Sequence, residues 1–382
     1  MSHEFTVDIG QADIDDLHHR LDATRWPDML PGVGWTSGAP LSRVQELAAY
    51  WRDGFDWRAA EKRLNTWPQL VTTIDGTTVH HVAVRSPRPD AQPLLLVHGW
   101  PGSYLEYLDT VGPLTDPEAY GGSADDPAFH VVLPSLPGYT FSGPVPDTGW
   151  GSKRVARALT TLMSELGHDT FVVHGGDWGE RIARDIAMQA PERVRGVHLT
   201  TFFCSPPFSG SEGIDELTPE ERVVLDDYLS RGFSIGYFHL LSERPQTLGY
   251  GWSDSPVSLL AWMVEKFAAW TDWQDSPDEA VDVDTFLTNV SMYWFTNTGN
   301  SAGRLYHEEA QAGEDRVGEF NATPTGCGIH PKEMSVPIRS LVERSNNVVF
   351  WAEHDRGGHF AALEEPDLVV QDLRSFVRVL DH

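Results

Sequence analysis

Cysteine is nearly absent from this chain: Cys204 and Cys327 are the only two in 382 residues. Their number and spacing exclude a disulfide framework and a cysteine-rich metal site, and both are expected to be buried, reduced thiols. Basic residues are scarce as well, with 28 Lys and Arg against 56 Asp and Glu. A surface of that sign repels phosphate backbones, which speaks against a nucleic-acid partner. No stretch reaches the roughly 18–20 apolar residues of a membrane span. The N-terminal MSHEFTVDIGQADIDDLHHRL has neither the basic start nor the apolar centre of a secretory signal. The expectation is a cytoplasmic protein with no membrane partner. Internal repeats and low-complexity segments are lacking too. Aromatic side chains, by contrast, are plentiful, with 14 Trp, as suits an apolar ligand pocket.

The hydrophobic period changes along the chain. Residues 13–22 and 42–65 carry apolar positions at helical spacing around the Pro- and Gly-rich TRWPDMLPGVGWTSGAP. This predicts a helical and extended N-terminal extension over 1–70, packed on a core. From residue 71 strands take over. Asp75-Gly76 marks a hairpin, followed by the short apolar runs 94–99, 129–135, 170–175 and 193–201. Helical patterns at 153–167 and 180–189 separate the later runs, so the fold class is α/β with a mostly parallel, doubly wound sheet. Strand signals fade after residue 204, where ELTPEERVVLDDYLSRGF, capped by Thr218 with Glu221 three residues on, and PVSLLAWMVEKFAAW read as helices. They return at 323–331 and 346–354, before a closing helix at 367–380. The expected division is therefore core at 71–204, helical lid at 205–315 and core again at 316–382.

TFVVHGGDWGERIARDIAMQ, residues 170–189, has the layout of a nucleophile elbow, in which a strand turns sharply into a helix and exposes one side chain between small residues. That side chain is Asp177, where serine is usual. Two further segments complete the pattern. HGWPGS (98–103) follows an earlier strand, where such a fold donates one backbone N–H to its oxyanion hole; the other donor is the N–H after the nucleophile. These are Trp100 and Trp178. RGGHF (356–360) follows a late strand and places His359 where the last member of a nucleophile–acid–histidine order belongs. The acid is expected on the loop after the preceding strand, at Glu333, with Asp355 as competitor. His174, before the elbow, is read as structural.

An ionised carboxylate attacks a saturated, strained carbon without a base to activate it. HGWPGS, FHVVLPSLPGYTFSGP, GGDWG, HPKE and RGGHFAALEEP, with TRWPD, YWRDGFDWRAAEKRLN and IDG nearer the N-terminus, resemble the motifs of the microsomal-type epoxide hydrolases, in consistent order over residues 5–380. The resemblance implies an α/β-hydrolase fold and addition of water to an epoxide, giving a vicinal diol through an Asp177 ester. It also implies two proton-donating phenols on the lid, Tyr237 in GYFHLLSERPQT and Tyr306 in GRLYHEE. Tyr228, Tyr250 and Tyr293 are read as structural. No metal or organic cofactor is implied. Trp100, Trp178, Phe203 and Phe360 are the expected pocket lining, suited to an aryl or otherwise bulky apolar epoxide. Soluble bacterial members serve detoxification or natural-product biosynthesis, enediyne antibiotics included, and the resemblance is compatible with a homodimer. The alternatives are a haloalkane-type dehalogenase on the same fold, since Asp177-Trp178 suits halide displacement too, and a catalytically silent binding relative.

Overall fold

The computed structural model describes residues 2–209, 213–313 and 319–381. The boundary expected at 315–316 lies outside these residues. The N-terminal segment supplies a strand that the sequence reading did not anticipate. β1 (Ser2–Phe5) is short and polar, without the alternation that marks a half-buried strand, yet it pairs antiparallel with β2 (Gln69–Ile74). Next come α1 (Gln11–Asp22), α2 (Leu41–Asp53) and α3 (Trp57–Leu64). The continuous helix expected over 42–65 is interrupted at Gly54–Asp56, where the Asp56 carboxylate caps α3 by accepting from the N–H groups of Arg58 and Ala59. β3 (Thr77–Val84) completes the expected hairpin with β2, and both turn residues, Asp75 and Gly76, have positive φ.

The remaining core elements are β4 (Gln92–Val97), α4 (Leu108–Thr115), β5 (Phe129–Pro134), α5 (Ser152–Glu165), β6 (Phe171–Gly175), α6 (Trp178–Gln189) and β7 (Val194–Leu199). Six helices follow: α7 (Pro219–Ser230), α8 (Gly236–Glu243), α9 (Pro245–Asp254), α10 (Pro256–Trp270), α11 (Val283–Thr296) and α12 (Gly299–Ala312). The chain then returns to the core through β8 (Asn321–Ile329), α13 (Arg339–Glu343), β9 (Asn346–Glu353), α14 (Ala361–Glu364) and α15 (Pro366–Leu380). Thr218 and Glu221 form the expected capping box of α7.

The nine strands form one sheet in the order β1-β2-β3-β5-β4-β6-β7-β8-β9. The pairs from β1 to β5 are antiparallel and the others parallel. This is an α/β-hydrolase sheet with helices on both faces, which accounts for the uninterrupted burial of Leu94–Val97 and Phe171–Val173. The parallel strands all end on one side, where ligands bind in open α/β sheets. Among the described residues no helix is long and apolar enough to cross a membrane.

Candidate active site

The site is assembled from the carboxyl ends of four strands. Asp177 lies between β6 and α6 with φ 50° and ψ −130°, a conformation that costs a non-glycine residue about 1–3 kcal/mol. Close packing holds it there. A Cβ on Gly175 would collide with the Gly179 carbonyl, and one on Gly179 with the Val97 carbonyl of β4. On Gly176 a Cβ would come within 2.8 Å of Thr200 Oγ1. The elbow thus needs small residues because α6 starts directly against the end of β4.

Trp100 N–H donates to Asp177 Oδ1 at 2.7 Å. The loop bearing Trp100 is tied to the lid: Tyr293 donates to the Gly102 carbonyl at 2.5 Å, and Asn289 to the Pro101 carbonyl at 2.7 Å. Trp178 opens α6, so its N–H is one of the first-turn donors without an intrahelical acceptor. His359 Nε2 lies 3.3 Å from Asp177 Oδ2, without hydrogen-bond alignment. Its Nδ1 is 2.9 Å from Glu333 Oε2, and the Trp270 carbonyl accepts from its backbone N–H at 2.8 Å. The structure therefore brings Asp177, His359 and Glu333 together. Asp355 points into solvent beside Arg356, its side chain 92% exposed.

Two residues that support this array carry no local sequence signal. Thr201 accepts from the Asp177 N–H at 3.0 Å and donates to Glu333 Oε2 at 3.2 Å. Ser335 donates to Glu333 Oε1 through its N–H at 3.1 Å and its hydroxyl at 3.3 Å. Both oxygens of Glu333 are consequently bonded, as a buried carboxylate requires. Burial pulls the His359 imidazole down, but the charge of Glu333 and the contacts with both carboxylates outweigh it and hold it well above the usual histidine range. A further buried carboxyl, Glu106, is pushed up to about 8, mainly by burial; the His359 charge pulls it down and that of Asp177 pushes it up.

Above the elbow, Tyr237 on α8 and Tyr306 on α12 lie with ring centroids 6.1 Å apart. Tyr306 stands edge-on to Trp178 at 4.8 Å. Its hydroxyl is buried without a hydrogen-bond partner among the described residues, and that of Tyr237 reaches Met334 Sδ at 3.7 Å. Burial, and after it the Asp177 charge, pushes both phenols well above their ordinary value. Trp100 packs on Trp252 and Trp262 of the lid, and Trp178 on Phe203 and Phe238. Phe360 stacks on Phe267 of α10 at 4.3 Å and stands edge-on to the His359 ring at 5.0 Å. Of the tyrosines read as structural, Tyr228 donates to the Met334 carbonyl, Tyr293 to the Gly102 carbonyl, and Tyr250 is exposed. His174 bonds His198 Nδ1 at 2.9 Å below the elbow, and both cysteines are buried thiols.

A carboxylate on a strand–turn–helix elbow, faced by a histidine with its own acid, is the arrangement of an α/β hydrolase with a carboxylate at the elbow. Known families and proteins narrow the class. Residues 2–107 match the epoxide hydrolase N terminus family, and residues 92–217 the alpha/beta hydrolase fold. The chain is 41% identical to a Stigmatella aurantiaca protein provisionally named an epoxide hydrolase, over 98% of this chain and 84% of that one. It is 33% identical to epoxide hydrolase 1 of Sus scrofa, covering 99% of this chain and 88% of the relative. The solved Aspergillus niger epoxide hydrolase superposes with a TM-score of 0.86 at 32% identity, covering 100% and 97% of the two chains. The chain belongs to the epoxide hydrolase family, and its reaction is the hydrolysis of a small-molecule epoxide. That selects epoxide hydrolysis over the dehalogenase and silent-relative alternatives.

Proposed function

We propose that the epoxide is opened by an ester-forming attack of Asp177 and that His359 then drives hydrolysis of the ester. The observation that carries this reading is the placement of one carboxylate. Its Oδ1 is held by Trp100 N–H at 2.7 Å, while its Oδ2 lies 3.3 Å from a histidine bonded to Glu333. Oδ2 attacks one epoxide carbon, the ring C–O bond breaks, and its electron pair stays on oxygen. Tyr237 or Tyr306 gives that oxygen its proton. The phenols stay protonated in the resting site because burial and the Asp177 charge hold them up. The attack moves that charge from Asp177 to the substrate oxygen, so the phenols gain acidity as the proton is needed.

The same charge movement prepares the second half-reaction. In the resting site His359 is an imidazolium between two carboxylates. Esterification neutralises one of them, and burial then favours the neutral imidazole: the imidazolium passes its proton to the phenolate left by the first step and can then act as base. Water gives its proton to His359 and its hydroxide attacks the Asp177 ester carbonyl. The oxyanion is stabilised by the N–H groups of Trp100 and Trp178, a contribution of roughly 3–4 kcal/mol per donor in comparable sites. Collapse expels the second alkoxide, which takes the proton of the new carboxylic acid, leaving the Asp177 carboxylate, the protonated His359 and the phenol as at the start. The product is a vicinal diol. The indoles and phenyl rings around Trp100 and Trp178 favour an apolar substrate, aryl or otherwise bulky.

Mixing a His359→Gln variant with styrene oxide and weighing the protein tests the scheme. The expected result is a mass increase of one substrate on the peptide containing Asp177, with diol formation reduced by at least about 1,000-fold. Turnover at the original rate without an adduct refutes it. The Tyr237→Phe, Tyr306→Phe double variant is expected to form the adduct at least about 100-fold more slowly.

A further inference from the structure

Lys266 is a buried cation for which the reaction scheme has no use. It lies on α10 with Trp262 and Trp270 one turn away on either side, and it is 7% exposed. Its ammonium sits 4.8 Å from the Tyr237 ring centroid, 4.8 Å from that of Trp262 and 5.8 Å from that of Trp270. Its ion-pair partner is the neighbouring, partly exposed Glu265 of the same helix. An ammonium is expensive to bury, and apolar side chains of similar length pack equally well among three aromatic rings. What the charge adds is an asymmetry. A cation over a ring is attracted to its electron density, and a phenolate ring is far richer in electrons than a phenol.

We infer that Lys266 is a positioning residue for epoxide opening, stabilising the Tyr237 phenolate across its ring face as the phenol gives up its proton to the alkoxide. This rests on the assignment of Tyr237 as a proton donor. The groups that set the acidity of Tyr237 are Asp177, Glu333, Tyr228 and Glu265, which oppose ionisation together with burial. Lys266 is the cation packed on its ring and works in the opposite sense. Because the attraction is stronger for the phenolate than for the phenol, it favours the transition state over the ground state. The lysine does not reach the reacting atoms: its effect belongs to the first half-reaction and passes through one ring.

Single-turnover mixing with styrene oxide, followed by tryptophan fluorescence, separates ester formation from ester hydrolysis. Lys266→Met is expected to slow ester formation roughly tenfold, with hydrolysis within about twofold of the parent. Lys266→Arg is expected to restore ester formation to within about threefold, and Lys266→Met added to Tyr237→Phe to cost less than about twofold more. The ester-formation rate of Lys266→Met is also expected to reach its alkaline limb at higher pH. If the methionine variant does not fold, Lys266→Gln takes its place. Unchanged ester formation in the uncharged variant, while Tyr237→Phe is slow, overturns the inference and leaves the phenol assignment standing. An equal loss in both backgrounds also overturns it, as a packing effect. Parent-like ester formation in Tyr237→Phe instead refutes the phenol assignment on which the inference rests.

Discussion

At the scale of the residue, the site turns on one imidazole between two carboxylates. His359 is held well above its ordinary value although burial works against it, so the carboxylates must dominate, and in the proposed mechanism Asp177 is the one that changes charge. Replacing Asp177 by Asn keeps the shape and removes the charge. The expected outcome is a fall in the His359 pKa, read by NMR titration of histidine-labelled protein. An unchanged value would mean that Glu333 alone sets the protonation state and that esterification does not switch on the base. Asp177, His359 and Glu333 could be found in the sequence because each sits where an apolar strand ends among glycines or in a short polar loop. Thr201 and Ser335 could not. Their role depends on β7 and the loop after β8 approaching the elbow, and neither LTTFF nor EMSVP carries a pattern that records it.

At the scale of the element, the elbow and the lid answer differently to the same substitution. Gly179→Ala drives a Cβ into the Val97 carbonyl, a backbone atom of a central strand that cannot move aside. A loss of about 3 kcal/mol or more is expected in urea unfolding, with activity abolished as the elbow shifts. Gly236, at the start of α8, meets only Ser234 Oγ at 3.4 Å. Gly236→Ala is expected to leave stability unchanged or raise it by up to about 1 kcal/mol; a loss like that of Gly179→Ala would show that contact distances are a poor guide here. The core elements were legible from short apolar runs bounded by glycine and proline. The lid was less so: two of its six helices stood out, because α9 and α12 carry interior glycines and polar residues, α8 spans only eight residues, and the three are held by packing on one another. β1 went unread for the related reason that an edge strand of four residues needs no hydrophobic alternation.

At the scale of the whole molecule, stability depends on which protons the native state refuses. Six imidazoles, those of His80, His81, His98, His174, His198 and His330, are almost wholly buried. Burial pushes them all down, His81, His98 and His330 to about 4 and His174 to about 3. Below pH of about 6.5 the unfolded chain binds these protons and the native chain does not, so stability falls with acidification until their native values are reached. Four carboxyls act in the opposite sense. Glu106 is pushed up to about 8, Glu180 and Glu364 to about 7, and Asp372 upward, all chiefly by burial. They hold protons in the native state that the unfolded chain has released, so their contribution is lost as pH rises from about 4.5 through those values. His359, raised in the native state, likewise contributes fully below about 6.5 and loses its contribution as pH climbs through its native value. Toward pH 5, where the unfolded imidazoles are almost fully protonated, the six histidines outnumber the four carboxyls by about two protons. At about 1.4 kcal/mol per proton and pH unit, stability should drop by on the order of 3 kcal/mol per unit on acidification. Above about 7 the histidines contribute nothing further while the carboxyls and His359 still lose, so stability should decline again. Urea midpoints measured from pH 4.5 to 9 in 150 mM salt are therefore expected to peak near pH 7 and to fall more steeply on the acid side. A midpoint that rises between pH 6.5 and 5 would show that relief of the net charge of −28 outweighs the buried imidazoles.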